Sequence, residues 1–163
     1  FDTLFEAWRR LCGTPEWDAD LAVIGTGAEL PLWRARAGEA GLAERIRFLG
    51  FRRDVPSLLQ ASDALVSPTR YEPYGVGVQE ALCMGIPAFV TKTAGIAERY
   101  PPELEALLLP DPDDPGSVAS ALLNWRRRRR EFRGMAHRLA QVLRGHTWER
   151  MSREIVEHME SAA

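Results

Sequence analysis

Five short apolar runs recur along the chain: Leu21–Ile24, Ile46–Leu49, Ala64–Val66, Ala88–Val90 and Ala106–Leu109. Their starts lie 25, 18, 24 and 18 residues apart, room for a strand, a loop, a helix and a second loop. Between them, Leu4–Cys12, Glu29–Ala37, Val55–Ala61, Val76–Met84 and Ile96–Tyr100 carry apolar residues at helical spacing. Strands of this kind alternating with helices predict a parallel sheet covered on both faces, and right-handed crossovers make it doubly wound. After Pro110 the pattern changes to three helices reaching Met159, with breaks expected near Gly134 and at Gly145-His146-Thr147. Asp113 or Asp114 is placed to cap the first of these, with Pro115 in its opening turn, and Thr147 to cap the last. No repeat or low-complexity linker divides the chain, so residues 1–163 read as one Rossmann-like α/β domain.

Composition narrows the picture. Apolar content of 45% and charged content of 27% belong to a folded globular chain, and 163 residues suffice for one sizeable core. The net charge of -2 provides no overall attraction to nucleic acid. The run Arg126–Arg130 is the exception, but consecutive helical residues point all round the helix and make no single basic face. A solvated helix surface is the reading, with acidic lipid and nucleic acid as the alternatives.

Cys12 and Cys83 stand far apart in helical segments and read as reduced residues of a cytoplasmic protein. His137, His146 and His158 are scattered without ligand spacing, and Asp111-Pro112-Asp113-Asp114 reads as a capping loop, so no metal site is expected. No apolar run approaches the ~20 residues of a bilayer span, and the start lacks the order of a signal peptide. The chain opens inside a helical pattern at Phe1-Asp2-Thr3-Leu4-Phe5, as a piece cut from something longer would.

Most strands run into small or turn-prone residues: Gly25-Thr26-Gly27, Gly50, Ser67-Pro68-Thr69 and Thr91-Lys92-Thr93. These collect at one sheet edge, where open parallel sheets hold their ligands. The richest stretch runs from Tyr71 to Gly85, Y-E-P-Y-G-V-G-V-Q-E-A-L-C-M-G. Glu72 lies in its loop and Glu80 in the second turn of its helix, both facing the space beyond the strand end. The amides near Gly75, Val76 and Gly77 open that helix and suit a diphosphate. Donors for phosphate beside acceptors for hydroxyls describe a nucleotide-sugar. Glutamates in early helical turns are also favoured by the helix dipole alone, but the surrounding Pro73, Tyr74, Gly75 and Gly85-Ile86-Pro87 argue against coincidence.

Three further turns share the edge. Gly25-Thr26-Gly27 serves either a tight turn or backbone contact with a ligand. Its dinucleotide fingerprint is broken, because Leu30 stands where the third glycine belongs. In Phe51-Arg52-Arg53-Asp54, either Asp54 caps the helix beginning at Val55-Pro56, or the loop backbone and Arg52 meet the ligand's base. In Thr93-Ala94-Gly95-Ile96-Ala97-Glu98, Gly95 allows close backbone approach, while Glu98 either accepts hydrogen bonds or favours the helix start.

From Gly50 to Glu98 these residues resemble the C-terminal, donor-binding half of a family 4 retaining glycosyltransferase with the two-domain GT-B architecture. The stretches that carry it are F-L-G-F-R-R-D-V-P, S-D-A-L-V-S-P-T-R-Y-E-P-Y-G-V-G-V-Q-E-A-L-C-M-G-I-P and A-G-I-A-E. The terminal H-T-W-E-R-M is similar to the family's last helix, which crosses back onto the partner domain.

The resemblance implies that Glu80 accepts from the ribose hydroxyls and that Glu72, the catalytic candidate, lies beside the donor sugar. Amides of Tyr74, Gly75 and Val76 would meet sugar and diphosphate. Phe51 and Arg52 would meet the base, and Gly25, Gly27 and Gly95 would line the same cleft. Tyr74 stands where Phe is usual, and Ala94 replaces one glycine of the usual pair. The family's phosphate-clamping Arg and Lys would lie ahead of Phe1, as would the acceptor domain.

On this expectation the isolated chain transfers no sugar. It needs no cofactor beyond the donor, and its partners are that donor and a glycan, lipid or small-molecule acceptor. No nucleic-acid partner is expected, and peripheral contact with the inner face of a membrane is left open. An epimerase of the same architecture and a non-catalytic nucleotide-binding module are the alternatives.

Overall fold

In the computed structural model, which describes residues 1–161, helix α1 (Asp2–Cys12) precedes a run of alternating strands and helices. Strand β1 (Leu21–Ile24) leads to α2 (Leu30–Glu39), β2 (Ile46–Gly50) to α3 (Val55–Gln60), and β3 (Leu65–Ser67) to α4 (Val76–Cys83). Strand β4 (Ala88–Thr91) follows, then two 3₁₀ turns, Gly95–Arg99 and Pro102–Leu107, and the short β5 (Leu108–Leu109). Helices α5 (Pro115–Arg127), α6 (Arg129–Arg144) and α7 (Trp148–Ser161) complete the described chain.

Every strand pairing is parallel, as the alternation requires, but the pairing falls into two ladders, β1-β2 and β3-β4-β5. Among the described residues no backbone pairing joins them, so the parallel sheet expected from sequence is seen as two ladders. Burial follows the pairing. Strand β4, flanked on both sides, is buried along its whole length, whereas β3 has one neighbour and is half-buried throughout. One apolar cluster nevertheless runs across both ladders, from Leu21 and Ile46 to Val78, Phe89 and Leu109. The α/β Rossmann-like fold is that expected.

Three local expectations need correction. The segment after β4 is a 3₁₀ helix, Gly95–Arg99, and not an α-helix over Ile96–Tyr100. Tyr100 precedes Pro101, which drives it into extended backbone at ψ 124 and stops any helix there. Pro102 then opens a second 3₁₀ turn, leaving Leu108–Leu109 alone to pair with β4 where a strand from Ala106 was expected.

The break between the two long C-terminal helices falls at Arg128, not near Gly134. Gly134 sits inside α6, whose buried face Phe132, Met135, Ala136, Leu139, Ala140 and Leu143 passes it without interruption. A helical glycine costs ~1 kcal/mol, which that much packing overrides. The capping residue of α5 is Asp114, whose Oδ1 accepts from Gly116 N at 2.8 Å. Thr147 Oγ1 accepts from Arg150 N at 3.3 Å and opens α7 as expected.

Four of the five arginines in the run are paired with carboxylates at the protein surface. Arg126 pairs with Asp18, Arg127 with Glu16 at 2.8 Å, Arg128 with Glu131, and Arg129 with Asp63 at 3.3 Å. Charges neutralised at that range cannot release the counterions that give nucleic-acid binding its strength. The chain is expected to pass an immobilised-DNA column unretained at about 0.15 M salt; salt-dependent retention would count against this account.

Cys12 and Cys83 are free thiols, half-buried in α1 and α4, and burial raises both above the ordinary thiol value. Among the described residues no helix is long and apolar enough to cross a membrane.

Candidate functional site

The C-terminal ends of β3 and β4 carry the candidate residues at closest quarters. The turn from β3 into α4 ends on Gly75, the N-cap, with φ +105. A side chain there would be strained by the backbone alone and would also come within 2.9 Å of Ile96 Cγ2. Helix α4 then starts abruptly at Val76, and Gln79 N donates to Gly75 O at 3.0 Å as its first bond. The amides before that point have no acceptor within the helix, and the positive end of its dipole lies among them.

Gly95 packs against the same turn. A Cβ there would meet Pro73 O at 2.5 Å, and Ile96 N donates to Tyr74 O at 2.8 Å. The close approach expected of Gly95 is therefore made to the Pro73–Gly75 backbone itself.

Glu72 is half-buried, and its Oε1 accepts from Tyr74 N at 3.3 Å. Glu80 is exposed one turn along α4, on the face it shares with Val76, Gln79 and Cys83. That face lines a cavity of about 870 Å³ together with Tyr74, and Arg99, His146, Trp148 and Met151 are on the wall. Sequence reasoning did not place Arg99 or the start of α7 there. The signals were Arg99 four residues beyond Gly95, and the H-T-W-E-R-M segment noted only as a last helix.

The remaining candidates sit on the other ladder. Gly25 follows β1 and Phe51 follows β2, and the two loops are joined by Gly25 N donating to Gly50 O at 2.8 Å. Gly27 is exposed between β1 and α2. Phe51 is 72% exposed, an apolar ring left open at the sheet edge.

Arg52 is held by Asp54 through a fork, Nε to Oδ1 at 2.8 Å and Nη2 to Oδ2 at 2.7 Å. Asp54 occupies the N-cap position of α3 but makes no side-chain cap, so the capping expectation fails because the carboxylate is taken by Arg52. That hydrogen bonding holds the Asp54 carboxyl below its ordinary range.

Among the described residues no hydrogen bond joins the Gly25–Phe51 group to the Glu72–Glu80 group. The start of α1 stands between them. Phe1 packs edge-on to Trp33 and Phe48, at 5.1 and 5.8 Å between ring centres. The next residue, Asp2, accepts from Arg70 Nη2 at 2.8 Å. The Arg70 hydrogen bond holds the Asp2 carboxyl well below the usual carboxylate range. A lowered folded-state value stabilises the fold above the ordinary carboxylate range, and the contribution is lost progressively as pH falls from that range through the lowered value, so it is intact in mild acid.

These features define a Rossmann-like α/β domain of the GT-B kind, with its polar residues gathered at the strand ends. A family profile described as "Glycosyl transferases group 1" matches residues 1–127. The chain belongs to that family.

Among curated relatives, the lipopolysaccharide core biosynthesis mannosyltransferase LpsB of Rhizobium meliloti (strain 1021) is 34% identical over 87 residues, 52% of this chain and 25% of that protein. The 2-deoxystreptamine N-acetyl-D-glucosaminyltransferase of Streptomyces fradiae is 33% identical over 115 residues, 69% of this chain and 27% of that protein. In fold, the chain resembles Anabaena Alr3699/HepE, solved in complex with UDP, with a TM-score of 0.81 at 20% identity over 98% of this chain and 44% of that one. The chain thus spans about a quarter of the length of those two curated relatives.

Proposed function

We propose that this chain is the donor-binding domain of a family 4 retaining glycosyltransferase, taking a nucleoside diphosphate sugar and presenting its hexose to an acceptor hydroxyl. The carrying observation is the amide-rich start of α4, with Glu72 Oε1 bonded to Tyr74 N on one side of the turn and Glu80 one helical turn beyond. In this reading Glu80 accepts from the ribose hydroxyls, and the amides of Tyr74, Gly75 and Val76 meet the sugar and diphosphate. Glu72, the catalytic candidate, holds the sugar hydroxyls or the positive charge that develops as the glycosidic bond breaks. Phe51 and Arg52 stand where the base would lie, and Gly25, Gly27 and Gly95 line the approach.

Cations and aimed amides would stabilise the departing diphosphate, and an electrostatic role of that kind is where such sites gain most of their rate. The reading requires no cofactor beyond the donor. The acceptor, a glycan, a lipid or a small molecule, would be held by another domain, and α7 would dock there through its exposed Trp148, Met151, Ile155 and Met159. We place the protein in the cytoplasm, with contact at the membrane surface left to the acceptor. The solved complexes of HepE with UDP and with UDP-glucose support this choice of ligand class.

Calorimetric titration of the 163-residue chain with UDP-glucose and GDP-mannose, each beside its free nucleotide, tests the reading. Binding of at least one pair is expected, with the sugar form tighter. NAD is expected not to bind. Failure of all four ligands to bind would sink the proposal.

His146 shares the cavity with Glu80, which lends the epimerase alternative one of the residues it needs. NMR of a nucleotide-sugar incubated with the chain separates the two, since only an epimerase would produce a second sugar isomer.

A further inference from the structure

The segment that carries Glu72 is fastened at both ends by bonds to neighbouring elements. At one end the buried Thr91 hydroxyl donates to Thr69 O at 2.7 Å. At the other, Ile96 N donates to Tyr74 O at 2.8 Å. Among the described residues, no backbone hydrogen bond is made by residues 70–73 between those points. What holds that stretch is a side chain: Arg70 Nε donates to Asp113 Oδ1 at 2.6 Å, and Arg70 Nη2 donates to Asp2 Oδ2 at 2.8 Å.

Both anchors are themselves fixed. Asp113 N donates to Asp111 Oδ1 at 2.8 Å, and the next residue, Asp114, caps α5. Asp2 lies in the first turn of α1, beside the Phe1 ring wedged on Trp33 and Phe48. A guanidinium is planar and rigid, so two carboxylates on separate segments fix its direction where a single flexible pair would not. Exposed ion pairs of this sort add little to stability. Their effect here is on where the loop stands.

We propose that Arg70 is a positioning residue: by bridging Asp2 and Asp113 it holds the 70–73 stretch so that the Glu72 carboxylate meets the donor sugar. This rests on the donor-site reading of Glu72. It also gives the acidic Asp111–Asp114 loop a part in the site beyond its cap. Arg70 touches neither sugar nor nucleotide, and its influence passes through Glu72 alone. Nucleotide affinity, carried by Glu80 and the α4 amides, is independent of it.

The test compares the wild-type chain with Arg70→Gln, Asp113→Asn and Glu72→Gln by calorimetry, using UDP-glucose with UDP and GDP-mannose with GDP. The quantity read is the ratio of nucleotide-sugar affinity to free-nucleotide affinity. Arg70→Gln is expected to lower that ratio about tenfold, the worth of one hydrogen bond to a charged group, while leaving free-nucleotide affinity unchanged. Asp113→Asn is expected to lower it less. Deuterium uptake should rise in residues 70–73 of both variants and stay unchanged in α4 and β4.

Equal losses for nucleotide and nucleotide-sugar would mark a general structural effect and overturn the inference. So would an unchanged ratio in Arg70→Gln when Glu72→Gln lowers it. If Glu72→Gln itself leaves the ratio unchanged, the donor reading of Glu72 falls and this inference with it. Should Arg70→Gln fail to fold, Asp113→Asn, which leaves the arginine in place, decides the matter on the same ratio.

Discussion

Glu80→Ala is expected to weaken nucleotide binding by about a hundredfold, because in the proposed site its carboxylate would accept from two ribose hydroxyls, each bond contributing about 1.5 kcal/mol or more. The side chain is exposed on the second turn of α4, and the buried face of that helix is made by Val78, Ala81 and Leu82. Its removal therefore leaves no cavity and no buried donor stranded. Alanine is also the best helix former, so α4 loses nothing by the change. Affinity should fall while the unfolding midpoint stays where it was. Calorimetry with UDP and GDP reads the first and urea denaturation the second. Wild-type affinity in the variant would remove Glu80 from the site, and with it the ribose assignment.

The position of Glu80 on α4 was legible in sequence because everything that places it is local. The run Ala64–Val66 is apolar and short, the turn is marked by Pro73 and Gly75, and Glu80 lies on the helix that follows directly. Strand β4 was equally legible, since a buried parallel strand reads as an uninterrupted apolar run, whereas β1 and β2 bury only part of their length. What escaped depends on distance along the chain or on competing local choices.

Arg70 reaches carboxylates 43 and 68 residues away, and no pattern around it says which acidic residues will meet it. Asp54 looked like a cap because it precedes Val55-Pro56, but Arg52 two residues earlier offers a charged fork, and the side chain answers that instead. Gly134 looked like a break because glycine is a poor helix former. The continuous apolar face on either side of it decides otherwise, and the chain turns at Arg128.

Phe89→Ala should show the opposite separation of effects. Phe89 is fully buried in β4, the middle strand of the three-stranded ladder, with its ring edge-on to Trp125 of α5 at 6.2 Å. Truncating a buried phenylalanine costs about 3–5 kcal/mol, the lost burial plus the cavity that rigid neighbours cannot close. Folded domains hold only about 5–15 kcal/mol in all, so the loss is a large share of the whole. Urea denaturation should show the midpoint falling steeply at unchanged slope.

The site, however, is attached to β4 through its C-terminal end, where Thr91 holds Thr69 and the chain turns into Gly95. That end is backbone and hydroxyl, untouched by a missing ring two residues back. Nucleotide affinity of the folded fraction should therefore match wild type, as calorimetry at low temperature and without urea would measure. A variant that lost affinity in proportion to stability would mean that the turn at Glu72 takes its shape from core packing, not from the polar fastenings at its two ends.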